Sequence, residues 1–171
     1  STSVDSSDPV WVPSDAPTDG CIYTISGRVT DPASGSGLEG VSIIVTTGRE
    51  SITDVSGSYT ISGLTAATYT LTPSKPGYTF GPADSSFTGI TGDKPDVNFT
   101  GTLLTYTVSG VVTEGGSPLA GVLVNFSDGT SMTTGADGAY SKTVDWGSDL
   151  TVTPSKDGYS FSPVDASWTD I

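Results

Sequence analysis

The stretch LTPSKPGYTFGP at residues 71–82 decides the fold, because it recurs as VTPSKDGYSFSP at residues 152–163. The two copies lie 81 positions apart and share the Pro-Ser-Lys run, the Gly-Tyr pair and the phenylalanine. Upstream, YTISGRVT at 23–30 recurs as YTVSGVVT at 106–113, an offset of 83, since the first copy carries two extra residues in the loop 31–37. A match in register over most of the length indicates a duplicated unit.

Each copy alternates apolar and polar residues with period two. In the first run, Tyr23, Ile25 and Val29 fall on one face, whereas Thr24 and Arg28 fall on the other. β-Branched and aromatic residues dominate such runs, and Gly, Pro, Asp and Ser interrupt them at intervals of about ten residues. No stretch has helical periodicity with caps. The sequence therefore predicts an all-β protein of two tandem β-sandwiches, each with about seven short strands.

The chain divides into three segments by composition and repeat. Residues 1–20 are rich in Ser, Asp and Pro, with Val10, Trp11 and Val12 as an apolar island, and they predict an extended N-terminal segment. Residues 21–103 form the first repeat. Residues 104–171 form the second repeat, which by alignment lacks its final strand.

The composition excludes several classes of chemistry. Nineteen acidic residues against six basic ones give a net charge of −13, which disfavours binding to nucleic acid phosphates. The absence of histidine and the single cysteine exclude a Ser-His-Asp triad, a His-ligated metal and a CxxC pair. No run reaches the ~18 apolar residues of a membrane span. We expect a processed extracellular or cell-surface segment without a membrane span.

The repeated motifs resemble a known family. SGxVT near the start of each copy, LxGV after the first loop and PSKxGYxFxP further on are similar to the carboxypeptidase regulatory-like domains, close to Cna protein B-type and transthyretin-like domains. The resemblance covers residues 23–102, and residues 106–171 up to a last strand. It implies a prealbumin-like, Ig-like Greek-key sandwich that is repeated in secreted and cell-surface bacterial proteins as a spacer, stalk or accessory domain without a catalytic site.

An isopeptide bond and a calcium site are two chemical features that the sequence does not favour. Some Cna B-type relatives carry a Lys-Asn isopeptide bond with its lysine on the first strand, where this chain has Arg28 and Val111. Asp54 and Asp137 lie in tight turns and make calcium a minor alternative, but such turns offer too few oxygen ligands at regular spacing. Asp and Ser close turns by accepting backbone hydrogen bonds. We therefore predict no cofactor and no metal.

One tryptophan is a candidate carbohydrate contact. Trp146 lies between Asp145 and Asp149 at a position where the first copy has Thr65, so the fold does not require an aromatic residue there. Sugar sites on β-sandwiches use exposed aromatic faces flanked by carboxylates and amides. Trp168 instead matches Phe87 in the first copy and is predicted to lie in the core.

The second copy differs from the first at its end. The first copy continues to a strand with Val97 and Phe99, which has no counterpart in the second. We therefore expect an unpaired sheet edge in the second repeat. Two explanations stay open: a further strand of a longer chain, or donation of Val10, Trp11 and Val12 by a neighbouring subunit in a head-to-tail fibre.

The sequence as a whole favours a non-catalytic function. We predict a structural or adhesive module whose partners are neighbouring domains or subunits of the same protein. A carbohydrate-binding module with a glycan partner at Trp146 is the alternative.

Overall fold

The computed structural model describes residues 20–171, and these form sixteen β-strands and no helix. The predicted all-β fold class is confirmed. Among the same residues there is no apolar helix of the length that crosses a membrane.

The first repeat contains eight strands in two sheets. The strands are β1 (Tyr23–Thr30), β2 (Ser42–Val45), β3 (Glu50–Ile52), β4 (Ser58–Leu64), β5 (Tyr69–Ser74), β6 (Tyr78–Gly81), β7 (Ser85–Phe87) and β8 (Phe99–Leu103). The sheet orders are β4-β1-β8-β6 and β3-β2-β5-β7. Strand β1 is an inner strand, antiparallel to β4 on one edge and parallel to β8 on the other.

The second repeat also contains eight strands, but in a different arrangement. The strands are β9 (Thr105–Val111), β10 (Thr113–Glu114), β11 (Ser117–Pro118), β12 (Leu123–Phe126), β13 (Ser131–Thr133), β14 (Ala139–Asp145), β15 (Leu150–Ser155) and β16 (Ala166–Trp168). The sheet β13-β12-β15-β16 matches β3-β2-β5-β7 strand for strand. The other sheets are the pairs β14-β9 and β10-β11.

By its residue contacts the chain divides into two compact units. The first comprises the described residues up to 73 together with 82–100, and the second comprises 74–81 and 101–171. This division assigns β6 to the second unit, whereas the sequence boundary at residue 103 assigns it to the first repeat. The domain boundaries of the sequence analysis stay a prediction.

The core follows the period-two alternation of the strands. In β4 the pattern alternates over Tyr59 and Ile61, and in β5 over Tyr69 and Leu71, because neighbouring side chains on a strand point to opposite faces. Among the described residues, thirteen apolar side chains of the first repeat are buried and seven of the second. The seven are Leu119, Val122, Val124, Phe126, Val144, Leu150 and Val152.

The prediction that Trp168 lies in the core is wrong. Trp168 pairs with Leu150 on β16, and its side chain is 39% exposed. Among residues 20–171, β16 is the outer strand of its sheet, so the tryptophan has a strand neighbour on one side only. The matching Phe87 is half-buried, so homologous position predicted the strand correctly but not the burial.

A buried threonine holds the same corner in both repeats. Thr53 Oγ1 accepts a hydrogen bond from Val41 N at 2.9 Å and donates to Leu38 O at 2.5 Å. Thr134 Oγ1 likewise accepts from the amide of Val122 at 3.0 Å and donates to Leu119 O at 2.8 Å. Each hydroxyl therefore satisfies two backbone groups that the core shields from water.

We expect Thr53→Val to lower the free energy of unfolding by about 2–4 kcal/mol, because it leaves one amide and one carbonyl unpaired. Thr53→Ser keeps the hydroxyl and should lose less. Thr133→Val, at an exposed position next to the second threonine, is the surface control. Urea unfolding followed by tryptophan fluorescence and circular dichroism measures all three. A Thr53→Val variant as stable as the native chain would show that these bonds carry no net stability.

Candidate functional site

The candidate site is the second edge of the inner strand, which the first repeat fills with its own chain. Val29 pairs with Phe99 and Thr30 with Thr100 in parallel register. Two residues before Phe99, the amide of Val97 donates to the Ser26 carbonyl at 3.0 Å. Phe99 is 1% exposed, and Val97 is also buried. The segment from Val97 to Thr100 therefore completes both the sheet and the core.

A glycine and a tyrosine receive this segment. A Cβ at Gly27 would overlap the carbonyl of Val97, so only glycine allows the two backbones to approach this closely. Tyr59 lies alongside and its hydroxyl donates to the same carbonyl at 2.6 Å. Burial raises the pKa of the Tyr59 phenol above its ordinary value. Gly27 and Tyr59 therefore hold the Val97 carbonyl through a close backbone approach and a buried hydrogen bond.

The second repeat keeps the receiving residues without the segment. Strand β9 pairs with β14 along one edge, from Thr105 with Asp145 to Val111 with Ala139. Within the described part of the chain, no strand pairs with the other edge of β9. A cavity of about 680 Å³ lies here. Its apolar lining includes Val111, Val112, Leu119, Val124, Tyr140 and Phe161.

Gly110 and Tyr140 are the counterparts of Gly27 and Tyr59. A Cβ at Gly110 would lie 2.6 Å from the Tyr140 hydroxyl, so the tyrosine ring lies over the glycine. Tyr140 is half-buried, and among residues 20–171 its hydroxyl has no hydrogen-bond partner. Gly27 and Tyr59 contact Val97 in the first repeat, whereas their counterparts Gly110 and Tyr140 line an unpaired edge in the second.

Two further differences accompany the open edge. Strand β6 has β8 as its only neighbour in the sheet, and the counterpart of β6 around Tyr159 and Phe161 is not a strand. On the outer face, exposed Arg28 of the first repeat is replaced by Val111, whose side chain is 57% exposed. The open edge thus has apolar groups on both faces.

The predicted donor residues Val10, Trp11 and Val12 lie outside the described residues, so the structure does not bring them to this edge. Sequence reasoning expected the edge from the missing counterpart of Val97 and Phe99. It missed Gly110 and Tyr140, although their recurrence in SGxVT and in the Gly-x-Tyr turn was a usable signal.

The predicted carbohydrate contact lies elsewhere in the second unit. Trp146 follows β14 and is 43% exposed, and a Cβ at Gly77 would overlap its indole ring. The indole ring therefore packs against the backbone at Gly77. Asp145 ends β14, and the Asp149 carboxylate accepts from the Asp170 amide at 3.1 Å. The tryptophan and the two carboxylates therefore lie along one loop and its flanks.

The acidic turns use their oxygens locally. Asp54 Oδ1 accepts from the amides of Ser56 and Ser58 at 2.8 and 2.9 Å, and bonds from Ser56 and Ser58 hold the pKa of this carboxyl below its usual value. Asp128 Oδ2 lies 2.5 Å from Lys142 Nζ, and the hydrogen bond from Lys142 lowers the Asp128 pKa to about 2. Among the described residues, no three His, Cys, Asp or Glu side chains cluster as metal ligands would.

Comparison with known proteins agrees with the fold. Residues 24–102 match the carboxypeptidase regulatory-like domain model, so the predicted resemblance to that family is confirmed for the first repeat. The chain is 34% identical over 127 residues to the chitinase ChiA of Flavobacterium johnsoniae, which covers 71% of this chain and 8% of the chitinase. This chain therefore spans less than a tenth of that relative.

One solved structure shares the architecture at low identity, and a second is less similar. The TIE protein of Bacillus anthracis superposes with a TM-score of 0.67 at 11% identity, over 88% of this chain and 31% of that one. A streptococcal ancillary pilin gives a TM-score of 0.46 at 15% identity, over 88% of this chain and 59% of the pilin.

We expect Tyr59→Phe to lower the free energy of unfolding by about 1–3 kcal/mol at neutral pH, because the Val97 carbonyl loses its partner. The contribution of Tyr59 should be complete below its ordinary pKa of 10.0 and should decline at higher pH, since its folded-state pKa is raised. Tyr140→Phe is the matched control and should cost less. Urea unfolding at pH 7 and above pH 10 measures both. A cost of Tyr59→Phe that grows with pH would contradict the assignment.

Proposed function

We propose that this chain is a non-catalytic structural module of an extracellular or cell-surface protein, in which the second repeat accepts Val10, Trp11 and Val12 of a neighbouring subunit as a donor strand. The observation that carries the proposal is the open edge of β9 with Gly110 and Tyr140 beside it. Each subunit then carries both a donor segment and an acceptor edge. Such a heterologous contact propagates into a fibre.

The absence of suitable side chains in the sequence supports a non-catalytic role. The chain contains no histidine, and its family match is to a regulatory-like domain. The acidic side chains at Asp54 and Asp128 are engaged by turn amides, hydroxyls and a lysine. The second edge of β9 and the cavity beside it present backbone groups and apolar surface, and both favour assembly by strand addition.

An unpaired inner strand needs a partner. Its free amides and carbonyls favour pairing with any available strand, and proteins normally cover such an edge. The half-buried Tyr140 and the cavity of about 680 Å³ add apolar surface that an incoming strand would remove from water. The island of Val10, Trp11 and Val12 is the one apolar run in an otherwise polar N-terminal segment, and it supplies that strand.

We expect Gly110→Ala to abolish assembly while leaving the fold intact, because the new Cβ blocks the incoming backbone and the end of the Tyr140 side chain can turn aside. Gly92→Ala, at a glycine with open space around its Cβ position, is the control. Light scattering and electron microscopy of the full chain over a concentration series measure assembly, and circular dichroism measures the fold. Fibres of Gly110→Ala equal to those of the native chain would contradict the acceptor site.

Complementation separates donor from acceptor. A Val10→Asp, Val12→Asp chain should stay monomeric, because its donor strand would bury two charges. Mixed with Gly110→Ala, it retains the acceptor that the other chain can fill, so the mixture should form a discrete dimer. A mixture that stays monomeric, while the native chain forms fibres, would show that these two sites do not meet.

A carbohydrate-binding role is the second candidate, favoured by the exposed Trp146 and by the similarity to a protein named as a chitinase. If this role holds, Trp146→Ala should lose affinity for chitohexaose, because the indole face supplies the stacking surface. Trp168→Ala, which removes a tryptophan of similar exposure, should retain it. Isothermal titration calorimetry with chitohexaose measures the affinity of the native chain and of both variants. No binding by the native chain, or equal loss in both variants, would remove this candidate.

A further inference from the structure

We infer that Met132 is an oxidation site that the folded second repeat accommodates. The oxygen that a peroxide adds to its sulfur accepts the hydrogen bond of the Ser141 amide, which the sulfur accepts in the unmodified chain. Met132 is the one methionine of the sequence. The inference concerns a chemical modification, goes beyond the proposed function and does not depend on it.

Met132 lies in the middle of β13, the outer strand of its sheet among the described residues. It pairs with Val124, which is fully buried, and directly opposed residues of paired strands share one face. The side chain therefore points to the core, where it packs against the buried apolar cluster of the second repeat. Because the strand lies at the margin of the sheet, the side chain is half-buried and solvent reaches part of it.

The sulfur closes a strand edge in the other layer. Strand β14 pairs with β9 along one edge, and within residues 20–171 no strand pairs with its other edge. The Ser141 amide donates to Met132 Sδ at 3.3 Å. A thioether is a weak hydrogen-bond acceptor. The sulfur therefore holds this edge amide less strongly than an oxygen acceptor would.

The first repeat has an oxygen at the same place. By the offset of 81, Ser51 is the counterpart of Met132 and Thr60 is the counterpart of Ser141. The Thr60 amide donates to Ser51 Oγ at 3.4 Å. The same corner thus accommodates an oxygen acceptor in one repeat and a sulfur acceptor in the other. Oxidation of the sulfur gives the second repeat an oxygen at this contact as well.

The oxidation step balances with a peroxide as the oxidant. A lone pair of the sulfur attacks one oxygen of hydrogen peroxide, so the S–O bond forms and the O–O bond breaks. The departing hydroxide takes the proton of the new S–OH group and leaves as water. The sulfur is oxidised by two electrons to the sulfoxide, and the peroxide is reduced to water.

The side chain has space for the added oxygen. Methionine is unbranched, with three rotatable bonds, and adapts to irregular spaces. A surface cavity of about 430 Å³ adjoins it, and the lining includes Met132, Asp137 and Ser141. A sulfoxide is polar, and a polar group that is removed from water without a partner destabilises a fold. Here the Ser141 amide is that partner.

Peroxide treatment of the folded full chain tests the site, with Cys21→Ser as background to remove the competing thiol. Peptide mass spectrometry should find one added oxygen at Met132. The rate should lie within about tenfold of the rate in urea, because the side chain is partly exposed. Ser51→Met, which places a methionine at the counterpart position, should gain a second site. A Met132 that reacts only after unfolding would overturn the inference.

Amide hydrogen exchange, measured by NMR, distinguishes accommodation from damage. After oxidation the Ser141 amide should exchange at least about threefold more slowly, because an oxygen acceptor replaces the sulfur. The Thr60 amide is the internal control and should not change. Reduction by methionine sulfoxide reductases should restore the original rate. Unchanged or faster exchange at Ser141, or a lower urea midpoint of the oxidised chain, counts against the site.

Two variants separate the acceptor from the packing, and circular dichroism checks that both fold. Met132→Leu keeps an apolar side chain without the sulfur, so the Ser141 amide should exchange faster than in the native chain and should not respond to peroxide. Met132→Gln supplies an oxygen acceptor and should slow exchange as oxidation does. Equal exchange in Met132→Leu and the native chain would show that the sulfur does not hold the amide, and the inference would fail.

Discussion

The structure depends on a close backbone contact at the inner strand of the first repeat. The segment that ends at Thr100 approaches β1 so closely that a Cβ at Gly27 would overlap the Val97 carbonyl. That carbonyl accepts a hydrogen bond from Tyr59, whose ring is buried. The contact closes the sheet edge and the core at once, because the residues on either side of Asn98 are both buried. Among the described residues, the presence of this segment in the first repeat is the main structural difference between the two repeats.

The second repeat shows what its absence from the described residues changes. Without a counterpart of β8, the stretch that corresponds to β6 is irregular, and Tyr140 is half-buried where Tyr59 is fully buried. Seven apolar side chains are buried, against thirteen in the first repeat. Because a fully buried large apolar side chain contributes about 1.5–3 kcal/mol, the second core has less to stabilise it. The four-stranded sheet on the opposite side keeps the same strand order in both repeats.

The sequence predicted the periodic part of this structure well. Alternation of apolar residues located the strands, and the repeat offset exposed the missing segment, because both signals depend on spacing alone. Burial was harder to predict. Trp168 aligns with Phe87 but lies 39% exposed on an outer strand, and Thr53 and Thr134 are buried in a chain where threonine usually marks the solvent face. Gly110 was missed among 22 glycines although it recurs in the repeated SGxVT motif, because the need for it arises from a contact distant in sequence.

The charge of the chain bears on how such an edge can be specific. At a net charge of −13 two copies repel each other at long range, which opposes indiscriminate association. An unpaired strand would otherwise accept many partners. Only a contact that gains backbone hydrogen bonds and buried apolar surface at short range overcomes this repulsion. Val111, in the place of Arg28, removes a cation from the edge and favours an apolar outward residue on the incoming strand. In the proposed assembly, the repulsion therefore opposes association at long range, and the valine disfavours a polar outward residue on the incoming strand.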